Sequence, residues 1–235
     1  MHVPDGFLDA GTSVATGAVA VVGVGLALRG ARRELDDRTA PMAGLTAAFV
    51  FAAQMLNFPV GAGTSGHLLG GALAAVLVGP WTGLLCLSVV LLVQSLLFAD
   101  GGVTALGTNI TLMGIVGVGV GWLVFSLVQR LLPKRVGLVP VTAAVAALVT
   151  VPTAALAFVG LYAVGGQAPV PLGALTATML GWHAVIGIGE AVITGLVVAS
   201  VVAVRPDLVH GARRVMAARP LEVRTVPAQS TEVSS

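Results

Sequence analysis

The chain has 235 residues, 57% of them hydrophobic and only 9% charged, with a mean hydropathy of +1.00. A soluble globular domain carries roughly 25% charged residues, so this composition excludes a water-soluble fold and leaves an integral membrane protein. Gly, Ala and Val far outnumber the aromatics, the habit of closely packed helices that meet through small residues. The apolar runs are also too long and continuous for the alternating strands of a barrel. The expected fold class is therefore all-α, spanning the membrane.

The twelve Lys and Arg residues fall in three places: Arg29, Arg32, Arg33 and Arg38; Arg130, Lys134 and Arg135; and Arg205 onward to Arg224. The positive-inside rule puts all three in the cytoplasm. That placement accounts for a pI near 9.3 without any nucleic-acid partner. The opening MHVPDGFLD has no basic stretch and two acids, unlike a secretory signal, so the chain is expected to keep its own first residue.

Taken in chain order, the apolar segments predict seven transmembrane helices at about 10–28, 42–58, 60–79, 81–98, 110–129, 138–163 and 174–204. The first runs from outside to Arg29, which places the N-terminus outside and the C-terminus inside. The third is anomalous. Its helical part, LLGGALAAVLVG, spans only 12 residues and follows GAGTSGH. Parity still requires a crossing, so residues 61–67 must complete it in irregular form. Irregular backbone at membrane depth persists only where protein covers it or it lines a cavity, which marks this loop as a candidate site. Residues 1–205 are read as one membrane domain and 206–235 as a cytoplasmic tail, partly disordered, with His210 solvated in its basic part. Cys86, in an apolar run, reads as a small core residue.

Two motifs mislead. GAGTSG matches G-x-G-x-x-G and nearly a P-loop, but no strand precedes it and no Lys-Ser/Thr follows. Nucleotide hydrolysis is not expected on this chain. The outer half of the expected topology holds Asp5, Asp9, Asp100, Glu190, His2, His67 and His183 with no Lys or Arg, a vestibule that attracts cations.

Met1 and His2 carry a specific chemistry. A free α-amine, the deprotonated backbone nitrogen of residue 2 and the Nδ1 of a histidine at residue 2 form fused chelate rings around one metal. Ni(II) and Cu(II) suit such tetragonal nitrogen sites, and Zn(II), with its tetrahedral habit, does not. The chelate fills three corners of a square plane. The fourth comes from elsewhere, and a neutral imidazole such as His67 suits it. VPDGF favours a terminus that folds back: Pro4 fixes φ, Asp5-Gly6 turns, and Phe7 and Leu8 anchor.

MHVPDGFLD, NFPVGAGTSGHLLGG (57–71), LLFADGGVTALGTNI (96–110) and WHAVIGIGEAVITG (182–195) together resemble the CbiM/NikM substrate-binding subunits of cobalt and nickel energy-coupling-factor (ECF) transporters. The blocks span nearly all of the membrane region. The resemblance implies a seven-helix S-component of the bacterial plasma membrane that binds Ni(II) or Co(II) as transported substrate, with no organic cofactor. Its implied ligands are the Met1 amine, the His2 backbone nitrogen and imidazole, and the His67 imidazole. Its implied partners are a T-component, a small accessory membrane subunit and a pair of cytoplasmic ATPases. Family members serving cobalamin synthesis look similar to those serving nickel enzymes.

Metal-bound imidazoles usually donate their other nitrogen to an oxygen. Asn57, Thr64, Ser65, Asp100, Asn109, His183 and Glu190 are the candidates to supply or orient such groups. A carboxylate within a membrane helix is costly, which singles out Glu190, read as a hydrogen-bonding post across the bundle rather than a ligand. Two other classes compete with an uptake subunit. An intramembrane metalloenzyme needs an open metal position and a nearby base, and the chain has no H-E-x-x-H. A stand-alone carrier or channel needs binding weak enough to let ions leave, and no inverted repeat is evident.

Overall fold

The computed structural model of the chain describes residues 1–61 and 64–217, at 61 and 64 by backbone alone. The chain is mostly helical. Helix α1 spans Ala10–Ala31 and α2 Ala40–Gln54; two short strands follow, β1 (Phe58–Gly61) and β2 (Thr64–Gly66). Then come α3 (Gly71–Val78), α4 (Pro80–Leu97), α5 (Leu106–Leu131), α6 (Val139–Gly165), α7 (Leu172–Val204) and a short α8 (Arg213–Ala217).

Five of these helices, α1, α4, α5, α6 and α7, are long and apolar enough to cross a membrane. Their outward faces carry exposed Val14, Val21, Leu97, Leu123, Leu131, Val164 and Leu196, the surface of a protein solvated by lipid. Helix α2, at 15 residues, is shorter. The helix expected over 60–79 is helical only in Gly71–Val78, and the residues before it form an antiparallel hairpin with Phe58 opposite Gly66 and Pro59 opposite Ser65. The all-α expectation is corrected to that extent.

The physical reason is position. Helix α3 is buried on every residue from Gly71 to Val78, packed between α2, α4, α5, α6 and α7. Its neighbours approach at backbone distance: a Cβ on Gly71 would lie 2.6 Å from the Gly117 carbonyl carbon, and one on Gly121 would lie 2.7 Å from Ala72 Cα. A helix enclosed on all sides needs no lipid-facing length. A glycine and a proline punctuate it and its successor: Gly79, at φ +98°, turns the chain and Pro80 opens α4 at a position where a missing N–H has no consequence. The Glu34 carboxylate accepts from the Trp81 and Thr82 amides and from the Thr82 hydroxyl, capping α4 from the α1–α2 connection.

Helix α5 widens into π turns over Ile110–Val116, directly after Asn109. Such widenings cluster at functional sites. In α6, Pro152 lacks the N–H that would bond the Leu148 carbonyl. Gly187 of α7 closes onto that carbonyl, where a Cβ would come within 3.2 Å.

Three apolar clusters divide the interior, and the two larger ones mark its ends. One gathers Met1, Val3, Phe7 and Leu8 with Leu69, Leu112, Met113, Phe158 and Met179. The other, toward the opposite end, holds Leu73, Val76, Phe125, Val139, Val198, Val209, Ala212 and Val215. Residues 206–217 thus lie against the bundle. His210 is not solvated as expected but packs edge-on to Trp122, with ring centroids 5.3 Å apart. The Ser/Thr/Glu-rich end, 218–235, lies outside the described residues.

Candidate metal centre

The first nine residues fold back onto the end of the bundle, burying Met1, His2, Val3, Phe7 and Leu8 while Pro4, Asp5 and Gly6 stay exposed. Met1 is 0% and Val3 1% exposed. Three sets of backbone pins hold the segment. Asn109 clasps Val3 from both sides, accepting from its N–H at 2.7 Å and donating to its carbonyl at 3.1 Å, while the Gly102 N–H donates to the same carbonyl. The Gln167 N–H donates to the Phe7 carbonyl and the Asp9 N–H to the Gly165 carbonyl, bringing Leu8 beside Gly166 in a short bridge. Phe7 packs on Phe158 and Tyr162, at 5.6 and 5.1 Å between centroids. Asp5 accepts from the Thr104 amide at 2.8 Å and from the Thr104 hydroxyl.

The loop ADGG (99–102) fits around this segment because it has little bulk. Ala99 and Gly101 have positive φ, +52° and +91°. A Cβ on Gly101 would lie 3.2 Å from His2 Cδ2, and one on Gly102 would collide with Asp5.

These pins bring the terminal amine to 2.6 Å from His67 Nε2. His67 is 1% exposed, and its Nδ1 donates to the Leu68 carbonyl at 2.8 Å. That bond fixes the tautomer and leaves the Nε2 lone pair facing the amine. The His2 ring stacks on the His67 ring at 4.4 Å. His2 Nε2 lies 3.3 Å from Gln94 Oε1, and Nδ1 lies 3.1 Å from Asp100 Oδ1 without the alignment of a hydrogen bond, so Nδ1 is a buried polar atom without a satisfied partner. Asn57 Nδ2 donates to Asp100 Oδ2 at 3.2 Å from the rim.

Burial sets the protonation states. It pushes the terminal amine down from 8.0 to about 4, with the Asp100 charge opposing. It likewise lowers the His2 imidazole, against the pull of Asp100. For Asp100 burial acts upward, but the contacts with His2 and Asn57 outweigh it and hold the carboxyl below its ordinary range. At neutral pH the site therefore presents a neutral amine and a neutral His2 imidazole beside a single carboxylate.

His183 is fully buried on α7. Its Nδ1 donates to the Met179 carbonyl at 2.8 Å, its Nε2 has no hydrogen-bond partner, and it lies within electrostatic reach of the terminal amine and His67. Glu190, 1% exposed, accepts from the Leu69 N–H at 2.7 Å and the Gly70 N–H at 3.0 Å, and Gln54 Nε2 donates to the Leu69 carbonyl. The carboxylate thus secures the backbone immediately after His67, a hydrogen-bonding post across the bundle. Of the remaining sequence candidates, Ser65 sits in the hairpin opposite Pro59, and the side chain of Thr64 lies outside the described residues.

Among the described residues no group of three or more His, Cys, Asp and Glu side chains gathers as a metal site. What gathers here is instead a terminal amine and the imidazoles of His2 and His67. Sequence reasoning did not single out Gln94, fully buried in α4 beside His2, or the Val3 clasp. A primary amide in an otherwise apolar span, VVLLVQSLL, was the available signal for the first.

Residues 2–208 match the family described as the cobalt uptake substrate-specific transmembrane region, CbiM. The chain belongs to that family. It is 39% identical over 212 residues to an Archaeoglobus fulgidus protein named for fused nickel transport, NikMN, covering 89% of this chain and 68% of that one. It is 43% identical over 133 residues to the cobalt transport protein CbiM of Sorangium cellulosum, covering 55% and 59%. Among solved structures it resembles a truncated transition metal transporter, with a TM-score of 0.79 and 33% identity over 86% of this chain and 99% of that one. This is a membrane transport component of the cobalt/nickel class, and its family is one of transporters rather than enzymes.

Proposed function

We propose that the chain captures Ni(II) or Co(II) in a four-nitrogen square plane and delivers it as the S-component of an ECF-type transporter. The ligands in this reading are the Met1 amine, the His2 backbone nitrogen, His2 Nδ1 and His67 Nε2. One observation carries it: the buried amine stands 2.6 Å from His67 Nε2. With metal–nitrogen bonds of about 2 Å, neighbouring corners of a square plane are about 2.8 Å apart, so little movement is needed to place a metal between these two nitrogens and the unsatisfied His2 Nδ1. Loading turns the His2 ring so that Nδ1 faces the metal, with Asp100 and Gln94 left to receive its other edge.

In this reading the chain crosses the membrane seven times, with α2 as one crossing and the hairpin plus α3 as another. The N-terminus is outside and the C-terminus cytoplasmic. A T-component, a small accessory membrane subunit and a pair of ATPases supply the scaffold and the ATP hydrolysis. A filled, chelating plane supports high affinity and speaks against free conduction.

The test extends the terminus. A chain bearing one added glycine before Met1, its new end verified by intact mass, is expected to lose stoichiometric nickel and cobalt binding by calorimetry while retaining its melting temperature. Unchanged affinity would overturn the chelate. Competition between the two metals on the native chain then ranks them, and uptake by reconstituted vesicles with and without the partner subunits tests the coupling.

A further inference from the structure

The opposite end of the bundle carries a second, unrelated cavity of about 490 Å³. Arg130, Lys134, Arg213 and Arg214 line it, with no carboxylate among its lining residues. Its floor is apolar and aromatic, with Trp122 and Phe125 of α5, Leu132 beyond the helix end and Val215 of α8. The four cations make no ion pair among the described residues; Arg213 reaches only the Glu34 carbonyl, at 3.4 Å. Two polar atoms of lining residues, Gln129 Nε2 and His210 Nδ1, are buried without any partner. Burial and then the charges of Arg213 and Arg214 push the His210 imidazole down to about 4.

The position of the cavity selects among anions. It opens where the lipid-facing surface of α5 ends: Leu123, Leu127 and Leu131 form an exposed row at four-residue spacing, and Arg130 and Lys134 stand at its end. Apolar chains beside a cluster of cations is the arrangement that an anionic phospholipid complements. Basic pockets between membrane helices at a cationic end hold such headgroups.

We propose that this cavity binds the headgroup of an anionic phospholipid. The phosphate sits among Arg130, Lys134 and Arg214, Gln129 and His210 meet its oxygens, and the acyl chains run along the α5 leucine row. The bound lipid ties the 210–215 segment to α5.

The test uses the full chain, purified in detergent and examined by native mass spectrometry with added phosphatidylglycerol or phosphatidylcholine. Phosphatidylglycerol is expected to stay bound at activation energies that strip phosphatidylcholine, and to raise the melting temperature by several degrees. Each cation near an anionic headgroup is worth about fivefold in affinity, so Arg130→Gln with Arg214→Gln should weaken retention by roughly twentyfold or more. Arg32→Gln with Arg33→Gln, which removes the same charge away from the cavity, should leave retention unchanged and controls for global charge and folding. Equal retention of both lipids, or equal loss in both double variants, would overturn the proposal. Displacement by millimolar inorganic phosphate would do so as well, assigning the cavity to a free anion. Loss of co-purifying membrane subunits in the cavity variant, with lipid retention unchanged, would reassign it to a protein interface.

Discussion

The two ends of this bundle are built on opposite rules. At one end the N-terminal segment is threaded into the core by backbone pins to Asn109, Gly102, Gly165 and Gln167, and most of its polar atoms are paired. At the other, four of the ten described Lys and Arg residues line an open cavity, and residues 206–217 are held by side-chain packing. The first end has Asp5, Asp9 and Asp100 with no fixed cation; the second concentrates positive charge. The segregation teaches what each end can hold. A cation entering the first meets attraction and neutral nitrogens, whereas the second repels it and suits an anion. The pinned end also gives geometric precision of the kind a metal plane requires, and the packed end does not.

The comparison is broken most directly at its most specialised atom. His67→Ala removes the one imidazole poised against the terminal amine, and metal binding is expected to fall by more than about a hundredfold in calorimetry, beyond the 10–100-fold typical of outer groups. The melting temperature should change far less. If affinity survives, the pinned end is a structural plug and not a site.

Asn109→Ala tests whether pinning itself matters. It leaves the buried Val3 N–H without an acceptor, a loss of about 1–3 kcal/mol, and frees the segment that carries Met1 and His2. Metal affinity is expected to fall about 10–100-fold, with faster hydrogen exchange across residues 2–8. Glu190→Ala acts from the other side of His67 by leaving the Leu69 and Gly70 N–H groups unpaired. It should lower stability by about 2–5 kcal/mol, while Glu190→Gln, which keeps one acceptor, should lower it by about half as much. Equal effects of the two would show that the charge, not the bonding, is what the backbone needs.

The pH dependence sharpens the same contrast. The unfolded terminal amine takes a proton below about 8, whereas the folded one stays neutral until about 4. The unfolded state therefore binds more protons across that window, and the stability of the metal-free chain should fall as pH drops from 8 toward 4 and level off above 8. At pH 7 the amine has no proton to surrender, so loading should release about one proton per metal, from the His2 backbone nitrogen. Calorimetry in buffers of different ionisation enthalpy measures that number, and a value near zero would remove the backbone nitrogen from the ligand set.

Much of the pinned end was legible in the sequence because its chemistry is local. Adjacent Met1 and His2, the turn residues Pro4, Asp5 and Gly6, and a loop too irregular to be a helix before His67 each announce themselves within a few positions. The helical segments were legible from hydropathy for the same reason. What was not legible arises between residues about a hundred apart. The Asn109 clasp on Val3, Gln94 beside His2 and the enclosure of α3 by glycine contacts depend on which helices meet. The irregular stretch before His67 was expected, but its pairing as a hairpin over 58–66 and the enclosure that shortens α3 depend on contacts that no local window contains. His210 was misjudged for a related reason: a basic flanking sequence reads as solvated tail, yet Val209, Ala212 and Val215 recur on one face and bury the segment.

That misjudged histidine supplies the smallest expected effect and a clean separation of the two ends. His210→Ala removes an edge contact with Trp122 and a partly buried ring, worth about 0.5–1.5 kcal/mol, so a shift of a few degrees in melting temperature is expected. Its contacts lie in the other apolar cluster, which shares no buried residue with the one around Met1 and Val3 although α5, α6 and α7 run through both. Metal affinity should therefore stay within about twofold of the native chain. A larger loss would mean that the helices running through both clusters transmit strain from the basic end to His67, so that the two ends form one coupled device rather than two independent ones.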